Sequence, residues 1–314
     1  MSLPEVIILG GCVTDLSVYT PRFPVAGETL VAHQFQYGFG GKGANTAFMC
    51  SRLGLETALI SKLGDDLFGQ RYAKYLETAG FNADQITTEK GSSSATANIT
   101  VADSGENAIA YFPGCVDLLS EADIERAESM FRSAKVFGCV FEAPMTTICR
   151  ALRLAREHGV TTYVNAAPVL ATSLPADCLP LIDYLCVNET EGPAVVCQIK
   201  GKPPGALSEK EMFDTLLSAG VGNVIMTQGE KGVKYAYEPS KVHAVPAVPV
   251  AKVVDTTGAG DAFNGGFIYH LVRNSQLSMH GQLWRACGIA SLTVQKKGTQ
   301  ASFPYRYEVP EKFL

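Results

Sequence analysis

From Ser120 onward, short apolar runs alternate with longer helix-compatible stretches. Val136–Phe141, Thr161–Asn165, Tyr184–Val187 and Asn223–Thr227 read as strands. Ser120–Phe131, Thr146–His158 and Ser208–Ala219 read as helices between or after them, the first opening on a Ser-x-x-Asp helix start. Strands that alternate with helices predict a parallel sheet covered on both faces, because a parallel pair needs a crossover and the crossover helix lies on a face. The expected fold class is therefore α/β: a doubly wound, mostly parallel sheet with helices on both faces.

The first part of the chain starts the same pattern and then departs from it. Val6–Leu9 is a short strand ending at Gly10-Gly11, and Thr29–Phe39 reads as a strand. A turn over Gly40–Asn45 leads to a helix over Thr46–Leu53, stopped by Gly54. Thr57–Leu63 is a second buried strand, and Gly69–Ala79 a helix ended by Gly80. Ala95–Val101 and Ala108–Phe112 flank Asp103-Ser104-Gly105, a hairpin pattern. Two pieces, about 12–37 and 94–113, do not fit the alternation and are expected to form a small β-sheet lid over the main sheet. Further on, Pro203-Pro204-Gly205 reads as a surface turn, Gly232–Tyr237 as a strand, and Asp261–Arg273 and Gly281–Gln295 as helices. A length of 314 residues suits one large domain, 1–314, with that lid as an appendage.

Charge narrows the partners. The 26 basic and 31 acidic residues leave a net charge of −5, without the basic surplus or patch that a nucleic-acid binder usually shows. No long apolar stretch marks a membrane span, and no basic n-region with an apolar core marks a signal peptide. The nine cysteines are scattered, with no C-x-x-C pair, and read as reduced, mostly buried thiols. The compartment expected from these signs is the cytosol, with the nucleus open for a eukaryotic source.

Three strings carry chemistry. Asp255–Phe263, D-T-T-G-A-G-D-A-F, places a glycine turn at the start of a helix. Backbone N–H groups there are unpaired and sit at the positive end of the helix dipole, which makes a site for phosphate or another anion. Asp261 at that same point is odd for anion binding alone. It makes sense as a base that takes a proton from a hydroxyl attacking the phosphate. The plainer reading is an acid that complements the dipole, and the helix start is expected to hold its pKa low. Gly38–Gly43 matches G-x-G-x-x-G, but it follows a second strand pair and no acid ends the next strand, which argues against a dinucleotide site. No G-x-x-x-x-G-K-[ST] loop is present. Asn188 and Glu191 (N-E-T-E) follow a strand and also fit a capping box.

Taken together and in order, G-F-G-G-K-G-A-N, N-E-T-E and D-T-T-G-A-G-D-A-F-N-G resemble the ribokinase family, the phosphofructokinase-B group of carbohydrate and nucleoside kinases. V-I-M-T-Q-G-E-K-G at Val224–Gly232, K-G-T-Q-A-S-F-P at Lys297–Pro304 and the early C-V-T-D are most similar to the branch that acts on D-ribose, in its eukaryotic form. The resemblance covers essentially the whole chain and implies a ribokinase-like fold. It implies phosphorylation of the 5-hydroxyl of D-ribose by ATP, with Asp261 as base and Gly258, Ala259 and Gly260 as the anion hole. Related activities left open are phosphorylation of 2-deoxyribose, fructose or a nucleoside, and a non-catalytic sugar-binding regulator.

By the same resemblance the sugar site comprises Val13, Thr14, Asp15, Gly41, Lys42, Gly43, Ala44, Asn45 and Glu142 with Asp261. Val13 departs from the asparagine of the bacterial pattern. The ATP site would use Asn188, Thr227, Gln228, Gly229, Glu230, Lys231, Gly232, Gly260 and Cys287. Glu191 would serve Mg2+ through water. A K+ site would draw on Asp255, Thr257, Thr293, Lys296, Gly298 and Ser302. The exposed face of the lid implies a homodimer.

Overall fold

The computed structural model describes residues 3–169, 174–201 and 207–314. The expected turn at Pro203-Pro204-Gly205 lies outside them. In chain order the strands are β1 (Val6–Leu9), β2 (Val13–Thr20), β3 (Gln34–Gly40), β4 (Thr57–Gly64), β5 (Ile86–Glu89), β6 (Ala95–Ala102), β7 (Asn107–Phe112), β8 (Val136–Val140), β9 (Thr161–Asn165), β10 (Tyr184–Asn188), β11 (Asn223–Thr227), β12 (Val233–Glu238) and β13 (Lys241–Val245). The helices are α1 (Lys42–Arg52), α2 (Leu67–Thr78), α3 (Glu121–Arg126), α4 (Glu128–Phe131), α5 (Met145–Glu157), α6 (Glu191–Lys200), α7 (Glu209–Ser218), α8 (Ala259–Arg273) and α9 (Met279–Thr293).

Nine strands form one sheet in the order β13-β12-β11-β10-β9-β8-β1-β4-β5. The strands from β11 to β5 pair in parallel, and β12 and β13 close the other edge as an antiparallel pair. Both faces are buried, and β1 shows how. Ile7 and Leu9 join one apolar core with residues of α5 and α7. Val6 and Ile8 join a second core with residues of α1, α8 and α9. Successive side chains of a strand point to opposite faces, so a run of four apolar residues feeds two cores.

The winding direction reverses at β1, which has β4 on one side and β8 on the other. Such a switch point leaves a crevice beyond the carboxyl ends of the strands. Here the crevice is closed tightly at its base. A Cβ on Gly43 would lie 2.5 Å from Gly10 Cα, so the first turn of α1 rests directly on the turn after β1.

The second sheet has the order β3-β2-β6-β7, and β2 begins just after β1 ends, so this sheet rises from the crevice. All six residues of β7 and the first four of β3 are exposed. The sheet therefore projects from the body rather than packing flat on it.

Several boundaries differ from those expected. The strand expected from Thr29 begins only at Gln34, because 21–33 is a turn-rich segment tied to β2 by His33 N–H to Tyr19 O. The turn expected over Gly40–Asn45 is mostly helix, since α1 already starts at Lys42. The single helix expected over Ser120–Phe131 is two. Ala127 N–H turns to Ile124 O and Met130 N–H to Ala127 O, tight i−3 bonds that break the α repeat. Among the described residues no helix is long and apolar enough to cross a membrane. All nine cysteines are free thiols, eight of them buried.

Candidate active site

Glu142, just past β8, organises the floor of the crevice. Its Oε2 accepts from Gly11 N–H at 2.8 Å and Gly43 N–H at 3.0 Å, and its Oε1 accepts from Lys42 N–H at 2.8 Å. It thus caps α1 from a distant strand, which no side chain near Gly41 does. Gly41 sits at φ 96°, and a Cβ there would meet Gly11 O at 2.2 Å, so only glycine fits that turn. Burial raises the Glu142 carboxyl above its usual range, opposed by those three N–H groups and by Lys42.

Asp261 lies in the first turn of α8, behind Gly258, which has φ 79°. It is 8% exposed, and its Oδ2 accepts from Asn45 Nδ2 at 2.8 Å. The low pKa expected for Asp261 is not found. Burial pushes it above the ordinary aspartate range and outweighs Lys42 and the Asn45 hydrogen bond. Beside it, Ala259 N–H turns back to Thr256 O at 3.2 Å, while Gly258 and Gly260 N–H find no backbone acceptor among the described residues. Space above Gly260 is open, with nothing within 4 Å of a Cβ built there. Two free N–H groups, an open approach and a helix start make an anion-binding corner.

Lys42 brings charge to the same corner. Its ammonium is held charged above the ordinary lysine value chiefly by Asp261, against burial, with Glu142, Glu191 and Asp15 adding to the effect. Asp15, on β2, faces inward: a Cβ on Gly40 would meet Asp15 Oδ2 at 2.3 Å. Burial first, then the negative charges of Glu142 and Asp261, push Asp15 up to about 7, with Lys42 opposing. Its neighbours on β2 are more enclosed. Val13 belongs to the core, and Thr14 is buried with its Oγ1 unpartnered. Ala44 likewise packs in the core.

Further along the strand ends, Asn188 and Thr227 sit side by side in register. Asn188 Oδ1 accepts from Thr190 N–H at 2.9 Å and Glu191 N–H at 2.8 Å, while Glu191 Oε2 accepts from Asn188 N–H at 2.9 Å, a reciprocal cap for α6. Burial raises Glu191, against the Asn188 N–H and Lys42. Gln228 to Gly232 form a short turn between β11 and β12, closed by Gln228 N–H to Gly232 O at 2.8 Å; Glu230 and Lys231 lie within it. Cys287 lies on α9 in the second core, and burial pushes its thiol up to about 12.

The 255–257 and 293–302 segments are stitched together. Asp255 Oδ2 accepts from Gly298 N–H at 2.9 Å and Oδ1 from Thr257 N–H at 2.9 Å; Asp255 N–H donates to Val294 O at 3.2 Å. Burial would raise Asp255, but Thr257 and the Gly298 N–H outweigh it and hold the carboxyl below its usual value. Lys296 N–H reaches Thr293 O at 3.1 Å, and Ser302 Oγ donates to Thr299 O at 2.7 Å.

Two residues of this site were not anticipated. Gln300 Nε2 donates to Asn45 Oδ1 at 3.0 Å and to Tyr72 Oη at 3.3 Å. Gln300 lies inside K-G-T-Q-A-S-F-P, but an uncharged amide there signals no chemistry by itself. Tyr72, on α2, reads as one apolar position of a helix.

The sequence pattern described as pfkB family carbohydrate kinase matches residues 3–306. A ribokinase of Mus musculus is 34% identical over 305 residues, spanning 97% of this chain and 93% of that protein. A deoxyribokinase of Salmonella typhi is 32% identical over 301 residues, spanning 96% of this chain and 95% of that protein. The solved structure of Arabidopsis thaliana ribokinase complexed with ribose and ATP superposes with a TM-score of 0.84 at 28% identity, over 99% of both chains. The fold and the family match define an ATP-dependent kinase of sugars or nucleosides, built on the ribokinase-like doubly wound sheet. The chain belongs to the pfkB family of carbohydrate kinases.

Proposed function

We propose that the chain transfers the γ-phosphoryl group of ATP to the 5-hydroxyl of D-ribose, giving D-ribose 5-phosphate and ADP. One observation carries this reading: a buried carboxylate, Asp261, held by Asn45 and facing the Lys42 ammonium, stands beside the free N–H groups of a glycine turn. The 5-oxygen attacks the γ-phosphorus as the bond to the β–γ bridging oxygen breaks, and the hydroxyl proton passes to Asp261. Asn45 engages Oδ2, which leaves Oδ1 for that proton. A carboxylate raised by burial is a stronger base than a free one, and the Lys42 charge opposes that rise. Gly258 and Gly260 N–H stabilise the phosphoryl oxygens, together with Lys42. Transfer is direct, without a phospho-enzyme.

Asp15, Asn45 and Glu142 with Gly41 and the first turn of α1 orient the sugar, and the raised, otherwise unpaired Asp15 carboxyl suits a pair of sugar hydroxyls. Residues 227–232, with Asn188 and Cys287, receive the nucleotide. Glu191 leaves one oxygen free of its cap, a donor set that fits Mg2+ held through water, where the ion neutralises phosphate charge. A hard cation such as K+ would be held by the Asp255 carboxylate with the carbonyls of 257, 293, 296 and 298 and the Ser302 hydroxyl, at a loop that the Thr257 and Gly298 N–H groups tie to Asp255. The second sheet acts as a lid that excludes water from the reacting phosphate. Its exposed Phe35, Tyr37 and Phe112, which the strand register places on one face, favour pairing with a second copy into a homodimer. The Mus musculus and Arabidopsis thaliana relatives support ribose as acceptor.

A coupled ADP assay over a panel of sugars and nucleosides tests the reading, with the phosphorylated position read by NMR. The highest kcat/KM is expected for D-ribose, with phosphate on C5. A higher value for 2-deoxyribose, the reading favoured by the Salmonella typhi relative, or for fructose or a nucleoside would replace it.

A further inference from the structure

We infer that Gln300 is a positioning residue that fixes the orientation of the Asp261 carboxylate through Asn45 and ties it, through Tyr72, to the end of the second sheet. The inference rests on the proposed role of Asp261 as base.

Four side chains form one buried line. Asn45 Nδ2 donates to Asp261 Oδ2 at 2.8 Å, and Gln300 Nε2 donates to Asn45 Oδ1 at 3.0 Å and to Tyr72 Oη at 3.3 Å. Tyr72 Oη donates to Gly40 O, the last residue of β3, at 2.7 Å. Tyr72, Gln300, Asn45 and Asp261 are all buried.

The donor inventory allows only one polarity. An ionised carboxylate only accepts, so Asn45 must present its NH2 to Asp261. Its carbonyl oxygen then faces Gln300, which must present its own NH2. That group has two hydrogens, and it meets two acceptors, Asn45 Oδ1 and Tyr72 Oη. Tyr72 spends its single hydrogen on the Gly40 carbonyl. The line therefore runs from a fixed acceptor at one end, the carboxylate, to another at the other, a backbone carbonyl. No member can turn over alone.

Gln300 is itself anchored. Arg52 Nη1 donates to the Gln300 and Phe303 carbonyls, and its guanidinium lies over the Tyr305 ring. Arg52 and Asn45 share α1, so one helix grips the 300–303 turn at two places. The side-chain oxygen of Gln300 is buried without a partner. An aliphatic residue of that volume would leave Asn45 Oδ1 without the Gln300 donor.

Gln300→Glu is the discriminating change, because it keeps the shape and reverses the polarity. Asn45 would turn its NH2 toward the introduced carboxylate and its oxygen toward Asp261. We expect kcat to fall about 10-fold or more with KM for ribose within about 3-fold, since misplacing a catalytic group costs turnover rather than binding. The acid limb of the kcat profile should move to higher pH, because Asp261 loses its donor. Gln300→Leu should show a smaller loss in kcat and the same direction of pH shift. A second readout does not need turnover. The side-chain carboxyl carbon of Asp261, assigned by its absence in Asp261→Asn, should titrate at higher pH in Gln300→Leu than in the wild type by 13C NMR. Glutamate and leucine variants with wild-type kcat, or with an unmoved Asp261 titration, would overturn the inference. Should the glutamate variant fail to fold, the leucine variant decides by the same two readouts. A wild type that phosphorylates nothing would instead sink the proposed function, and the NMR titration would still decide Gln300.

Discussion

Replacing Asp261 by asparagine isolates the proton step. The two side chains have nearly the same shape, and asparagine Oδ1 can take the place of the oxygen that accepts from Asn45 at 2.8 Å. The hydrogen-bond line and the packing of α8 should therefore survive. What disappears is the acceptor for the sugar proton and the negative charge facing Lys42. General-base catalysis is worth about 10²–10⁴ in rate, or about 2.7–5.5 kcal/mol of barrier, and kcat should fall by at least that factor. KM for ribose should change little. Stability supplies a second check with a definite sign. The folded-state pKa of Asp261 is raised by burial, so the ionised form destabilises the folded protein relative to the unfolded chain. That penalty is absent below the unfolded aspartate pKa of about 3.9 and develops as pH rises through the folded value. The Tm of Asp261→Asn should accordingly exceed the wild type at neutral pH, and the gap should close on acidification. A coupled ADP assay and thermal melts from pH 4 to 8 read both. Near-normal turnover refutes Asp261 as base, and a variant less stable than the wild type at neutral pH refutes the account of its burial.

Burial and the nearby carboxylates push Asp15 up to about 7, so KM for the sugar should rise as pH falls through that value and flatten in Asp15→Asn; a flat wild-type KM between pH 6 and 8 contradicts the assignment. Glu142→Gln keeps one carbonyl oxygen for Gly11 and Gly43 but turns an NH2 toward the Lys42 N–H. Leaving that half-buried donor unmet should cost about 1 kcal/mol by denaturant unfolding and raise KM for the sugar. Exchanging K+ for Na+ should lower kcat in the wild type and have little further effect in Asp255→Asn; equal rates in both salts would discard the cation site. Phe35→Lys on the exposed part of β3 should convert a dimer to a monomer in analytical ultracentrifugation, and a wild-type monomer at micromolar concentration removes the dimer proposal.

The central strands were legible because their burial is local in origin. Val6–Leu9, Thr161–Asn165 and Asn223–Thr227 are short runs bounded by turn residues, and they keep the expected bounds. The edge strands Ile86–Glu89 and Lys241–Val245 were not, since half-exposed I-T-T-E and K-V-H-A-V carry no apolar run. The start of α1 is illegible for a different reason. Its cap is Glu142, 100 residues away from Lys42, and no local pattern announces a partner at that distance. The same holds in the site. Lys42 and Asp261 advertise themselves by charge beside glycine, and the structure brings their charges together. Gln300 acts through an amide nitrogen 255 residues from Asn45, so its part is visible only once the chain is folded.

The packing of α1 against α8 has a consequence for how the protein is made. A Cβ on Gly265 would lie 2.6 Å from Met49 Cβ, so the two helices are in close contact across about two hundred residues of sequence. During synthesis at about 5–20 residues per second, the apolar side of α1 waits on the order of 10–40 s for α8 to leave the ribosome. Met49 and Cys50, which meet Gly265, stay without that partner for the interval, whereas Phe48 finds Tyr75 and Phe81 early. Asp261 also emerges late, so its pairing with Asn45 forms only after most of the core-forming chain has been made.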